Sequence, residues 1–393
     1  MSDTKENILV ISVKEQNRRL ARIFSFMERD RISCAIISDN ANIYYLTGRV
    51  FSGYILLTSE GMCYYFVKRP NNLCGDNVIA IRKPEQMAEY IDRQPVGTIA
   101  LELDSLSYSE GLRLKAISPE RELKNLSAIL RKVRAVKTKE EQELIKRSGI
   151  LQEKVYREIP RLYRPGMTDL DFQLEIEMAL RKGGCLGQFR ISGSSMEFFM
   201  GNILTGDNAD NPTPYDFAMG GAGAHPSLPV GANGTEIKQD TTVMVDANGN
   251  FTGYMTDMTR TFAVGDVSPL ARKAHLCSIN ICKELARIGL PGTEAKILYE
   301  QAVEMAAEES LTDYFMGHRQ KAGFVGHGVG IEINELPVIA PRSRDILTEG
   351  NVIALEPKFV IPGVGAVGIE NTYIVSTDGM HCVTNAPEEF ISL

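Results

Sequence analysis

The chain predicts two mixed units, an α/β domain followed by a larger α+β domain, and three observations carry that reading. At 393 residues it exceeds the usual reach of one hydrophobic core. Short strand-like runs alternate with helical patterns over roughly 1–125, as α/β packing requires. A charged, helical stretch, "KNLSAILRKVRAVKTKEEQELIKRSG", then separates this region from a second half with a different rhythm. We place the domains at 1–130 and 139–393, with a linker over 131–138.

Within the first unit, Leu20, Ile23, Phe24 and Met27 recur at helical spacing, predicting an amphipathic helix over 14–30. "CAIIS", "NIYYLTG", "GYILLTS", "MCYYFVK", "NVIAIR" and "TIALEL" read as β, with a helix at "PEQMAEYIDRQ". None of this concentrates chemistry. In the second unit, "RPGMTDLDFQLEIEMALRKGG" and "LPGTEAKILYEQAVEMAAEES" echo each other: Pro-Gly, a threonine N-cap (Thr168, Thr293), then an amphipathic helix. The echo suggests a duplicated α+β unit.

Composition excludes several classes of function. With 44% hydrophobic and 24% charged residues the chain can build a core, and a formal charge of −7 offers no footprint for nucleic acid or an anionic membrane. No run of ~18 apolar residues is present. The N-terminal "MSDTKENILVISVKEQ" suits neither a signal nor a transit peptide, and seven scattered cysteines without a C-x-x-C pair read as free thiols in a reducing cytoplasm. "TGDNADNPTPYD" lacks the offsets of a calcium loop and reads as a polar loop at a site entrance. No strand–GxGxxG–helix unit, G-x-S-x-G or H-E-x-x-H occurs, which argues against nucleotide binding, a serine hydrolase and a zincin.

The chemistry gathers around "VMVDANGNFTGYMTDMTRTF", where Asp246 and Asp257 end up on two apolar runs joined by a Gly/Asn-rich middle. A symmetric hairpin closed by 249–253 would pair residues whose numbers sum to 503, setting Asp246 against Asp257. Opposed β-carbons lie ~4.5–5.5 Å apart. At that range two unit charges repel by ~3 kcal/mol at an effective dielectric of ~20. Solvation of an exposed hairpin, a shared proton or bound cations would each relieve this.

Three further stretches favour cations. "FVGHGVGIE" sets His327 between glycines, which leave the imidazole open to a cavity, while "NVIALEPKFVIP" and "GAVGIENTYIV" embed Glu356 and Glu370 in apolar strands. Acids in such places are costly unless paired or metal-bound. Four carboxylates carry −4, which two divalent cations cancel and one proton does not. An oxygen-rich set with one imidazole suits Mn²⁺, Fe²⁺, Co²⁺ or Zn²⁺. Two such ions ~3.5–4 Å apart would activate a shared water and polarise a carbonyl.

The order D-x10-D, H-G-x-G, E-P, I-E-N resembles the methionine aminopeptidase, prolidase and aminopeptidase P family, over roughly residues 16–390. "NIYYLTG" and "RAVKTKEEQELIKRSG" are similar to segments of its longer members. The resemblance implies a pseudo-symmetric pita-bread fold with a smaller N-terminal creatinase-type α/β domain. It implies two divalent ions, Mn²⁺ foremost, with Asp246 on one, Asp257 and Glu370 bridging, and His327 with Glu356 completing the other. Glu356 would also handle the proton of the attacking water. The implied protein is a cytoplasmic homodimer cleaving short peptides before proline. Creatinase, a relative, lacks these ligands, so the full set argues for a metalloenzyme.

The chain also departs from that pattern. Asn334 stands where a second histidine is common, Leu228 or Pro229 where another usually precedes the first aspartate, Gly368 where aminopeptidase P members have arginine, and Lys358 where glycine is common. Those groups normally steady substrate or intermediate. His225, Asn334 and Lys358 are the candidate substitutes, with His225 a plain loop residue and Lys358 a surface charge as the competing reading; His275, His318 and His381 read as structural or exposed. The departures keep two other functions open: metal-dependent hydrolysis or lysis of a non-peptide small molecule, or metal binding without turnover.

Overall fold

The computed structural model describes residues 5–187, 189–191 and 200–393. It divides into two compact units, Met1–Arg134 and Ala135–Leu393. The segment expected as a linker over 131–138 is helical through Ala135, at the end of the helix Ser127–Ala135. Its remainder is held by a bridge of Val136 to Asn351 and by Thr138 at the next helix start.

In the first unit a six-stranded mixed sheet runs in the order Val78–Ala80, Cys63–Arg69, Ser52–Thr58, Ile32–Ile37, Thr98–Leu101, Glu122–Asn125. Ile36, Leu56, Phe66, Ile99 and Leu101 from its strands form the core with Met87, Ile91 and Leu114. "NIYYLTG", read as β-rich, is instead the helix Asn40–Thr47. Local caps outweigh the β propensity of Ile and Tyr here. The Asp39 carboxylate accepts the Ala41 N–H at one end, and Gly48 closes the other at φ +76°, where a side chain would be strained.

The second unit has two helix–sheet segments in chain order, each containing one of the two helices that echo each other in sequence. Thr168 caps Asp169–Lys182 through a capping box with Asp171. The second copy starts differently: Glu294, not Thr293, precedes Ala295–Glu308, and Thr293 donates its hydroxyl to Ile288 O, closing the preceding helix instead. One sheet orders Ile391–Ser392, Asp257–Val264, Thr241–Asn248 and Gly201–Thr205. A second orders Glu335–Ile339, Gly326–Gly328, Val352–Leu355, Asn371–Ser376 and Gly379–Cys382. A ribbon of Lys358–Ile361 against Gly365–Gly368 belongs to the same unit. Thr259 and Glu370 are bridged backbone to backbone, so the two sheets meet where their acids lie.

The hairpin register corrects one expectation. Asp246 faces Thr259 and Asp257 faces Asn248, so paired numbers sum to 505, not 503. The turn runs on to Thr256, because Gly249 N–H donates to Thr256 O and Met255 N–H to Gly330 O. Thr256 Oγ1 donates to Gln152 Oε1, and Gln152 Nε2 to Ala247 O, fastening the turn to the helix Lys139–Tyr156. The aspartates are therefore diagonal neighbours on one face, which widens their gap to roughly 7 Å and eases their repulsion.

Candidate metal centre

Five side chains converge where the sheets meet. Among the described residues, ligand atoms of Asp257, His327 and Glu370 lie within 4.8 Å of one another, as do those of Asp246, Glu356 and Glu370. Asp246 lies within Thr241–Asn248 and Asp257 opens Asp257–Val264, His327 is the middle of Gly326–Gly328, Glu356 directly follows Val352–Leu355, and Glu370 directly precedes Asn371–Ser376.

The glycines around His327 serve the backbone rather than an open cavity. A β-carbon at Gly326 would lie 2.4 Å from Ala354 O, and one at Gly328 2.2 Å from Leu336 O. Both neighbouring strands press against this short strand, and His327 sits at a register shift between them. Its Nε2 is 3.3 Å from Glu356 Oε1 and 3.9 Å from Asp257 Oδ2. Burial alone would lower the imidazole pKa, but the Glu356 carboxylate and other nearby acids outweigh it and raise it to about 9.

Lys358 is the feature that sequence reading placed least well. Its side chain is fully buried, and Nζ reaches Asp246 Oδ2 at 2.8 Å, Glu356 Oε2 at 2.7 Å and Glu370 Oε2 at 3.1 Å. It is not the surface charge that the competing reading made of it. Strand geometry explains the placement, since Glu356 and Lys358 are two residues apart and point the same way. Across the ladder Lys358 pairs with Gly368, so two departures from the expected pattern face each other. Burial raises the pKa of Glu370, reinforced by Glu356 and offset in part by Lys358, leaving it at about 8. Burial also opposes ionisation of Glu356, yet Lys358 and His327 prevail and hold it at about 2.

Other residues fix the acids without having been singled out. Thr259 Oγ1 donates to Glu370 Oε2, and Asp257 N–H donates to Thr372 Oγ1. Arg260, 1% exposed, donates to the carbonyls of Thr259, Glu370, Thr384 and Ala386 and to Asn371 Oδ1. An arginine amid the apolar alternation of "DMTRTF" was the available signal.

His225 is exposed in a tight turn, its Nδ1 bonded to Ser227 Oγ, and Asn334 is half-buried in the turn between Gly326–Gly328 and Glu335–Ile339. His275 is structural: its Nε2–H donates to Glu388 O, its Nδ1 accepts Gly368 N–H, and the ring stacks on Phe390. His381 is exposed beside Asp378. His318 bonds Asp210, an acid of the loop read as lying at a site entrance, and both line a cavity with Tyr215, Phe217 and Gln320.

The donor chemistry fits a divalent cation. Carboxylate and imidazole donors converge in a buried place, and Glu370 Oε1 has no hydrogen-bond partner among the described residues, the mark of an acceptor kept for something other than a proton donor. A second cation drawing on the three oxygens that hold Lys358 would lie roughly 3 Å from the ammonium. There a +2 and a +1 charge repel by ~10 kcal/mol at an effective dielectric of ~20.

Comparison with known proteins follows the same lines. The model of metallopeptidase family M24 matches residues 143–377, and that of the creatinase/prolidase N-terminal domain matches 19–136. A Pyrococcus horikoshii protein named Xaa-Pro dipeptidase is 25% identical over 95% of this chain and 99% of its own length; one from Pyrococcus furiosus is 26% identical over the same shares. The prolidase structure from Pyrococcus horikoshii superposes with a TM-score of 0.76 at 22% identity, covering 95% of this chain and 100% of that one. An Xaa-Pro dipeptidase structure from Bacillus anthracis reaches 0.78 at 22% identity, covering 96% and 100%. At such identity the structural likeness speaks for the fold. The family match is broader evidence, because it takes in more than half of the chain and all five converging residues: the protein belongs to metallopeptidase family M24 and carries a creatinase/prolidase N-terminal domain ahead of the catalytic one.

Proposed function

We propose that this protein is a metal-dependent Xaa-Pro peptidase, hydrolysing the bond before proline in short peptides. The observation that carries the reading is the convergence of Asp257, His327 and Glu370, whose ligand atoms lie within 4.8 Å of one another, with Glu356 Oε1 3.3 Å from His327 Nε2. Full-length relatives named Xaa-Pro dipeptidase support the substrate class. When bound, the divalent cation supplies Lewis acidity to the attacking water and the scissile carbonyl.

The chain's own groups account for the rest. The bond before proline is a tertiary amide, whose nitrogen must gain a proton to leave. Lys358 and His327 face the two oxygens of Glu356 and keep it ionised, and we assign to it the acceptance of the proton from water, the role that the resemblance implies for it. It then returns that proton to the proline nitrogen as the C–N bond breaks and the new C–O bond forms. Asp257 and Glu370 orient the attack and stay ionised only in the presence of positive charge, since burial disfavours both.

Manganese as the ion and a cytoplasmic homodimer as the assembly come from the resemblance, and metal analysis with gel filtration checks them. The experiment for the activity incubates Mn²⁺-loaded protein with Xaa-Pro dipeptides and Xaa-Pro-Xaa tripeptides, beside an Asp257→Ala control. Product above the control is expected; none from any peptide refutes the reading. A small-molecule amide panel tests the second reading, which Asn334 and Gly368 favour because neither offers a cationic hold on a peptide.

A further inference from the structure

The two oxygens of each shared acid divide between two sides of the centre. Glu356 turns Oε2 to Lys358 and Oε1 to His327. Glu370 gives Oε2 to Lys358 and Thr259, and keeps Oε1 without a partner among the described residues. Asp246 also turns an oxygen to Lys358, while Asp257 turns one toward His327. One side is thus filled by an ammonium, and on the other Glu356 Oε1 and Asp257 Oδ2 face an imidazole while Glu370 Oε1 has no partner among the described residues.

We propose that Lys358 takes the place of a second cation, so that the chain binds one divalent ion, among Asp257, His327, Glu356 and Glu370, rather than two. An ammonium has three N–H donors, and three carboxylate contacts at 2.7–3.1 Å use them all. No water is needed to complete its shell, in keeping with its complete burial. The backbone of the opposite strand approaches it closely. Lys358 pairs with Gly368, whose added β-carbon would meet Pro357 O at 2.8 Å and Lys358 Cα at 3.1 Å, so only a residue without a side chain suits that partner position. Charge is consistent as well: four carboxylates, one ammonium and one divalent ion leave −1 with a neutral imidazole ligand.

The proposal rests on the metal-dependent reading above, but its test does not depend on turnover. Full-length protein is saturated with Mn²⁺, freed of unbound ion by gel filtration and analysed for manganese per chain. Electron paramagnetic resonance then separates isolated Mn²⁺ from a spin-coupled pair. Wild type is expected to hold one Mn²⁺ with an isolated spectrum. Lys358→Gly, with Lys358→Ala as a second variant should the first not fold, is expected to hold two with a coupled spectrum. Two ions in wild type overturn the proposal while leaving the metallopeptidase reading intact. No ion in wild type overturns both. One ion in a folded variant overturns the claim that Lys358 is what excludes the second.

Discussion

Replacing Lys358 by methionine keeps the length of the side chain and removes its charge, which makes it the sharpest probe of how the acids are tolerated. The three contacts, at 2.8, 2.7 and 3.1 Å, are each worth ~6 kcal/mol of Coulomb energy at an effective dielectric of ~20. Desolvation of the buried ammonium offsets most of that sum, and removing one partner of a buried ion pair typically costs a net ~3–5 kcal/mol, because the remaining charges are left uncompensated. For a unit of this size such a loss lowers the melting temperature by roughly 10 °C. The assay is calorimetry of both proteins in chelator and again with saturating Mn²⁺. Without metal the variant should melt about 10 °C below wild type. With Mn²⁺ the gap should narrow, since an ion bound only to the folded state adds ~2.7 kcal/mol at a hundredfold excess over its dissociation constant, and the variant has two places for it. Equal melting temperatures in chelator would refute the reasoning, because they would mean that the acids do not depend on this ammonium.

Arg260→Met should destabilise the second unit by ~3–5 kcal/mol, since the carbonyls of Thr259, Glu370, Thr384 and Ala386 lose their shared buried donor; urea denaturation measures it. Gly328→Ala drives a β-carbon into Leu336 O, so it should cost ~1–3 kcal/mol and weaken Mn²⁺ binding through His327, as read by calorimetric titration. Burial raises the Glu102 pKa from 4.5 to about 7 against the lowering pull of Ser38 N–H, Asp39 N–H and Asn42. The stability it confers is complete below pH 4.5 and is lost as pH rises through about 7, amounting to ~3 kcal/mol. Glu102→Gln should remove that slope, and its advantage over wild type in denaturation of the first unit should grow from pH 5 to pH 8.

What the sequence disclosed depended on how local the cause was. Helices with a clear start signal read well: Thr168 caps Asp169–Lys182, as its place after Pro-Gly suggested. "NIYYLTG" misled because its β-favouring side chains are overruled by Asp39 and Gly48 at its edges. The hairpin was legible but its register was not. Gly249 and Gly253 suggested a short turn, whereas its length is set by Gln152, some hundred residues earlier, gripping Thr256 and Ala247. The converging acids could be named from apolar surroundings alone, because an acid in an apolar strand is improbable without a partner. The identity of that partner depends on three strands meeting, which no local pattern encodes.

Lys358 shows why that gap matters. An isolated lysine after Glu-Pro has the same local signature whether it points to solvent or to three carboxylates; only the ladder that sets Lys358 against Gly368, and the bridge that sets Thr259 against Glu370, distinguish the two. The inference from sequence, that four buried acids need compensating positive charge, survives in general form and changes in particular. Part of the charge is covalently attached to the chain and therefore present at every metal concentration. A centre built this way keeps Asp246, Glu356 and Glu370 gathered before any ion arrives, so binding the ion requires less rearrangement of the acids than in a site held together by two ions alone. The same ammonium lowers the negative potential that attracts the ion, so its replacement by a neutral residue should raise the number of ions bound while lowering the stability of the metal-free fold. Those opposite signs distinguish a built-in cation from a lysine that merely fills space, for which both quantities would fall together.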